Sequence, residues 1–217
     1  MLAIDPVPGD SRLPNQADVV VIGGGIVGVS AAYFLAERGV SVVICEKGVI
    51  GGEQSSRNWG WVRQQGRDPR ELPLIVESLK IWRGLEDRIK ADTGFRQNGI
   101  LYLEQTTQDI AKREEWVDMA RPYQIGSRIL TRDEVQSLVP GLETSCEGGL
   151  YTASDGSAEP QKAAPALANA ARRLGAKIFT NCAARGLERE SGKVSAVVTE
   201  HGKIRCSSVI LAGGAWS

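Results

Sequence analysis

Apolar residues recur along this chain in two rhythms, and each predicts its own kind of element. Short unbroken runs read as strands buried on both faces: the segment DVVVI from Asp18, the run VVIC that stops at Glu46, and Val209 to Ala212. Helical spacing appears after the first run, where Ala31, Ala32, Leu35 and Ala36 form a small apolar face and Gly39 follows Arg38 as a stop. It appears again from Leu72 to Ala91, with Leu74, Ile75, Leu79, Trp82, Leu85 and Ile89 in register, and from about Gln161 to Leu174, ended by Gly175. Thr107 to Ala120 is a polar helix. Thr131-Arg-Asp-Glu has the form of a capping box, so a short helix to Leu138 follows, closed by Pro140-Gly141. Gly99 to Glu104, Gly149 to Tyr151 and Lys177 to Thr180 read as strands, and Val194–Thr199 with Lys203–Cys206 as a hairpin turning at His201-Gly202.

The most informative stretch is strand, glycine turn, helix, strand and acid in unbroken order from Asp18 to Glu46. Gly23 permits a tight turn out of the strand, Gly25 removes a side chain where backbone must approach a pyrophosphate, and Gly28 lets the helix lie close on the strand. The N–H groups and dipole at that helix start, beside Ile26 and Val27, favour an anion. Glu46 lies 23 positions after Gly23, near the separation of about 20 expected for an acid that binds a ribose hydroxyl, and its charge would repel a 2′-phosphate. This βαβ unit predicts a dinucleotide; on its own it leaves NAD and FAD open.

Composition narrows the rest. Hydrophobic residues at 42% and charged ones at 24% are ordinary for a soluble protein, and 217 residues can bury a substantial core. Lys plus Arg equals Asp plus Glu at 26 each, so no broad basic field favours nucleic acid. No apolar run is long enough to span a bilayer, and residues 1–16 have no hydrophobic segment of a secretory signal. They read as a flexible lead. Cys45, Cys146, Cys182 and Cys206 are dispersed without a CxxC pair, which predicts reduced thiols in a cytoplasmic protein and no metal site. His201 is the one histidine and reads as a solvated turn residue, so hydrolase triads have little support.

The order of elements predicts an α/β fold: a discontinuous nucleotide-binding domain from residues 17–80 and 151–217, with residues 81–150 forming part of an inserted α+β cap layer. Three segments together resemble the D-amino-acid oxidase superfamily of FAD-dependent amine and amino-acid oxidoreductases. They are GGGIVG with Glu46-Lys47, the loop Ser55-Ser56-Arg57-Asn58-Trp59-Gly60, and the end VILAGGAWS from Val209. Asp155-Gly156 with Pro160 before a helix fits the same family. The resemblance implies FAD rather than NAD. It assigns FAD contacts to Gly23, Gly25, Ile26, Val27, Gly28, Glu46, Lys47, Ser55, Ser56, Arg57, Asn58, Gly60, Ala184, Gly213, Gly214 and Trp216. Asn58 stands where some relatives carry a flavin-linked histidine, so covalent attachment through this loop has no support. Trp59 and Trp61 have two readings, beside the flavin or in a core.

The resemblance further implies oxidation of an amino acid, imino acid or related amine, with hydride leaving the carbon next to nitrogen for flavin N5. No acid–base pair or catalytic residue is identified. Arg63 and Arg67 are either solvated or aimed at a substrate carboxylate. Family members continue beyond the alanine-tryptophan-serine motif, so the C-terminal half of the fold is expected to be missing here. A partner subunit or a separate electron acceptor is compatible with that. The rival readings are an NAD-dependent dehydrogenase and a non-catalytic, truncated nucleotide-binding subunit. A flavin spectrum separates the first of these, and amine turnover by the isolated chain the second.

Overall fold

The computed structural model describes residues 3–217. In chain order the elements are β1 (Val19–Ile22), α1 (Ile26–Ala36), β2 (Val42–Cys45), β3 (Trp61–Val62), α2 (Leu72–Ile89), β4 (Ile100–Glu104) and α3 (Thr107–Ala120). There follow β5 (Arg128–Thr131), α4 (Arg132–Leu138), β6 (Gly148–Thr152), β7 (Gly156–Ser157), α5 (Pro160–Arg173), β8 (Lys177–Phe179), β9 (Ala184–Glu190), β10 (Lys193–Thr199), β11 (Gly202–Arg205) and β12 (Ser208–Leu211). The chain divides into two compact units. The first takes residues 1–59, 87–94 and 159–217, and the second takes 60–86 and 95–158. The division thus falls earlier than residue 80 and later than residue 151, because β3 pairs antiparallel with β7 inside the second unit.

In the first unit a parallel sheet runs β12-β1-β2-β8. β1 sits between β12 and β2 and bonds to both along its whole length. Val20, Val21, Val43 and Ile44 are almost wholly buried, which is why these strands read as continuous apolar runs rather than alternating ones. Burying each such side chain stabilises the fold by roughly 1.5–3 kcal/mol. α1 packs against α5. Both present small residues inward: Gly28, Ala32 and Ala36 on α1, and Ala163, Ala164, Ala168 and Ala171 on α5. Pro165 lies inside α5 and cannot donate to the Gln161 carbonyl one turn earlier. The Asp5 N–H supplies that bond instead, at 3.2 Å.

The described residues before β1 are therefore not a free lead. Asp10 also exchanges two bonds of 2.7 Å with Ile178 on β8, through its own N–H and through its carboxylate, so the segment covers an edge strand of the sheet. A second, antiparallel sheet, β11-β10-β9, packs Val197 and Ile204 with Val20, Val43 and Phe179 in one core. β9 went unread in the sequence because its residues ARGLERE are mostly exposed and carry no apolar alternation.

The second unit is built on the antiparallel sheet β4-β6-β5. Leu130 and Leu150 are buried on it, with Val135 of α4 against Leu130. α2 buries Leu72, Leu79 and Leu85 but leaves Leu74 73% exposed, correcting the expected face. Leu74 is two residues, about 200°, away from Leu72 and so lies on the opposite side of the helix. The capping box of α4 is present as read: Thr131 Oγ1 accepts from Glu134 N–H, and Glu134 accepts from Thr131 N–H at 2.8 Å. Replacing Thr131 by Ala is expected to cost about 1 kcal/mol. Chemical denaturation of the two proteins would measure it, and an unchanged midpoint would show that the cap contributes nothing.

Candidate functional site

The site lies in the first unit, where β1 turns into α1. Gly23 leaves the strand at φ 113°, a left-handed conformation, and a Cβ there would lie 2.3 Å from the Ala212 carbonyl oxygen. A Cβ on Gly28 would lie 2.0 Å from the Gly23 carbonyl oxygen, so no larger residue fits between helix and turn. Gly25 is the N-cap of α1 and brings no side chain to the helix end. Ser55 does so from another segment: its Oγ accepts from Ile26 N–H at 2.8 Å. The first turn leaves Val27 and Gly28 N–H without intrahelical acceptors, at the positive end of the helix dipole. No acidic side chain stands in that first turn to neutralise it. This is the donor set that binds a phosphate or pyrophosphate.

Glu46 immediately follows β2 and is 9% exposed. One of its oxygens accepts from Gly24 N–H at 2.7 Å, the other from Gly48 N–H at 2.7 Å. Its carboxylate therefore ties the end of β2 to the glycine turn, while the remaining lone pairs can accept from ribose hydroxyls. The backbone supports the same junction: Gly23 N–H donates to the Cys45 carbonyl at 2.9 Å, and Cys182 N–H to the Glu46 carbonyl at 2.8 Å. The thiols of Cys45, Cys182 and Cys206 lie below it in the apolar core, free and buried. Burial, with Cys182 adjacent, pushes the Cys45 thiol well above the usual thiol range, so Cys45 serves packing rather than nucleophilic chemistry.

The remaining candidate residues divide into those drawn into the cradle and those engaged elsewhere. Gly213 is brought beside Gly23, its N–H nitrogen 3.2 Å from where the Gly23 Cβ would be. Gly214 (φ 62°) and Trp216 form a final single turn, in which Trp216 is 72% exposed. Lys47 places its ammonium 4.2 Å from the centre of the Trp216 ring. Ser56 is buried and donates to the Glu53 carbonyl, closing its own turn. Asn58 donates to the carbonyls of Gln54 and Ser55, both at 3.0 Å. Arg57 pairs with Glu53 at 3.2 Å and donates to the Gly52 carbonyl. Arg57 and Asn58 thus hold the loop that presents Ser55. Ala184 opens β9 opposite Thr199 and packs on the thiol-lined core. Gly60 falls in the second unit at φ 73°.

Sequence reading passed over Glu53, which bridges Lys47 (3.7 Å) and Arg57. The signal was available: an acid four residues before Arg57 within a loop otherwise rich in basic and polar groups. It passed over Ile50 as well, whose Cδ1 would lie 2.5 Å from a Cβ on Gly24. His201 is the solvated turn residue expected, its Nε2 2.8 Å from the Asn181 carbonyl. Among the described residues no cluster of metal-ligating side chains occurs, and no helix is long and apolar enough to cross a membrane.

The family model described as DAO, FAD dependent oxidoreductase, matches residues 18–217. Mitochondrial sarcosine dehydrogenase of Mus musculus is 31% identical over 99% of this chain, which spans 24% of that protein. Sarcosine oxidase subunit beta of Arthrobacter sp is 30% identical over 92% of the chain, which spans 51% of that protein. The solved L-amino acid deaminase from Proteus myxofaciens is 38% identical with a TM-score of 0.93, covering all of this chain and 49% of that one. The chain therefore spans between a quarter and a half of these relatives.

Two substitutions test the cradle. Gly28→Ala forces a methyl against the Gly23 carbonyl and is expected to cost roughly 1–3 kcal/mol of stability. Glu46→Gln turns one of two buried acceptors into a donor facing an N–H and is expected to cost a similar ~1–3 kcal/mol. Thermal unfolding monitored by circular dichroism reads both; wild-type midpoints for either variant would contradict the assigned contacts.

Proposed function

The chain belongs to the DAO family of FAD-dependent oxidoreductases, and from that premise we propose that it binds FAD in its first unit and serves to oxidise the carbon–nitrogen bond of an amino acid, imino acid or related amine. The observation that carries this reading is the cradle itself. Gly23, Gly25 and Gly28 clear a space at the start of α1, Ser55 caps its first N–H, and Glu46 borders it with a carboxylate. These residues fit the ADP portion of FAD, with the pyrophosphate at the Val27 and Gly28 N–H groups and the ribose hydroxyls at Glu46. The Glu46 charge disfavours a 2′-phosphate there. Lys47 and Trp216, stacked at 4.2 Å, and the loop of Ser55, Ser56, Arg57 and Asn58 border the same region and are assigned further FAD contacts. Gly60, Gly213, Gly214 and Ala184 are assigned backbone approaches to it.

When bound, FAD supplies the hydride acceptor for the carbon next to nitrogen. The chain's own residues bind and orient the cofactor; the acid and base of the reaction are not identified among them. The second unit is assigned the substrate-facing part of the protein. Because the chain spans at most about half of the relatives reported above, a second reading stands beside the first: a nucleotide-holding part that acts with a partner subunit or a separate electron acceptor. A cytoplasmic location accords with four free thiols.

Purified full chain mixed with FAD is expected to retain a flavin absorption spectrum through gel filtration, and Gly25→Val, which places a branched side chain at the Ser55-capped helix start, to lose it. Retention of NAD with no flavin would refute the assignment. Amine turnover with a dye acceptor then separates the two readings: reduction of the dye by sarcosine or an amino acid supports the enzyme, and tight FAD binding without any turnover supports the nucleotide-holding part.

A further inference from the structure

The turn between β10 and β11 carries the one histidine of the chain, and the nucleotide cradle makes no direct use of it. The turn is braced from within. Thr199 is buried, and its Oγ1 donates to the Gly202 carbonyl at 2.8 Å and accepts from His201 N–H at 3.2 Å. From this braced turn the His201 ring reaches Asn181, whose carbonyl oxygen lies 2.8 Å from Nε2. A carbonyl only accepts, so Nε2 carries the ring proton and donates it. Glu200 reinforces the same junction: its N–H donates to the Ala183 carbonyl at 3.1 Å, and its carboxylate accepts from Ala183 N–H at 3.2 Å. Two residues of the turn thus hold the segment from Asn181 to Ala183 from one side.

The other side of that segment is bonded to the nucleotide cradle. Asn181 N–H donates to the Gly48 carbonyl and Cys182 N–H to the Glu46 carbonyl, both at 2.8 Å. One peptide group joins the two sides, since the Asn181–Cys182 unit offers its oxygen to His201 and its N–H to Glu46. A trans peptide is planar, so fixing its oxygen on His201 also fixes the direction of its N–H. Cys182 is wholly buried, which leaves that N–H no water to turn to. Gly48 N–H in turn donates to the Glu46 carboxylate at 2.7 Å. Asn181 keeps its place at φ 49°, a left-handed conformation that a non-glycine residue holds only when its surroundings enforce it. The enforcing bonds are those to His201 and Gly48.

We propose that His201 is a positioning residue for the nucleotide site: through the Asn181–Cys182 peptide it sets the stretch from Glu46 to Gly48 that borders the ribose. This rests on the reading of the first unit as an FAD site and deepens it, by placing a determinant of affinity outside the cradle. Calorimetric titration of the full chain with FAD and with ADP tests it, beside nuclear magnetic resonance of the ¹⁵N-labelled protein. His201→Leu removes the donor and is expected to weaken both ligands about fivefold, with the circular dichroism spectrum unchanged. His201→Gln, whose amide nitrogen replaces the ring Nε2 as donor, is expected to bind both with wild-type affinity. In the nucleotide-free protein the Cys182 and Gly48 amides should exchange with deuterium several-fold faster in His201→Leu than in wild type or His201→Gln. The sole histidine gives ring ¹⁵N signals that need no assignment, and ADP should shift them, because coupling between two sites is reciprocal. Wild-type affinity in His201→Leu, a loss that His201→Gln does not restore, unchanged amide exchange, or ring signals indifferent to bound ADP would each overturn the positioning role and leave the FAD reading standing. A wild-type chain that binds neither FAD nor ADP overturns the FAD reading, and the positioning role with it.

Discussion

A single carboxylate holds the nucleotide cradle together. Glu46 stands at the end of β2 and accepts hydrogen bonds from Gly24 and Gly48, so the exit of the second strand fixes the exit of the first. The glycine turn has no side chains with which to stabilise itself; at Gly23 and Gly28 backbone oxygens occupy the space a Cβ would need, while Gly24 and Gly25 lie close against Ile50 and the Ser55 hydroxyl. The neighbouring chain must therefore supply the rigidity. Ser55 supplies it at the helix start, Cys45 and Cys182 supply it through their backbones, and Glu46 supplies it with charge. As the proposed pyrophosphate site, the turn would hold its donors in position before the anion arrives.

The first unit was legible in the sequence because its physics is local. Strand, turn, helix and acid occur within 29 residues, and each glycine has a reason that can be stated from its spacing. The capping box of α4 was legible for the same reason. Elements that depend on distant partners were not. β9 is polar and becomes a strand only because β10 lies beside it, and β3 is two residues long and exists only by pairing with β7. Residues 1–16 carry no apolar run, yet Asp5 and Asp10 are fastened by backbone bonds to Gln161 and Ile178, which no pattern within the segment announces.

The candidate site shows the same boundary between local and distant. Gly23, Gly25, Gly28 and Glu46 could be placed from order and spacing. Ser55 could be named through family resemblance, but its action as the cap of α1 emerges only from the folded chain. Arg57 and Asn58 carry bonds within their own loop, a structural duty that the motif did not reveal. Asp155 belonged to a recognisable Asp-Gly loop, while its three donors lie some ninety residues away. Buried polar networks of this type are nearly invisible to sequence periodicity, because one polar residue in an apolar setting looks like a flaw until its partners are known.

The parallel sheet has a consequence for the order of synthesis. β1 is made before both of its neighbours, β2 and β12, and β2 in turn pairs with β8. The partner of Val19 is Ser208. A ribosome that has translated the glycine turn and α1 has produced a strand whose other edge stays unsatisfied until Ser208–Leu211 has emerged. During that interval Val19–Ile22 is an apolar edge with half its hydrogen bonds unmade. Completing the first sheet is therefore set by closing the long loop between Val19 and Ser208 rather than by any local turn.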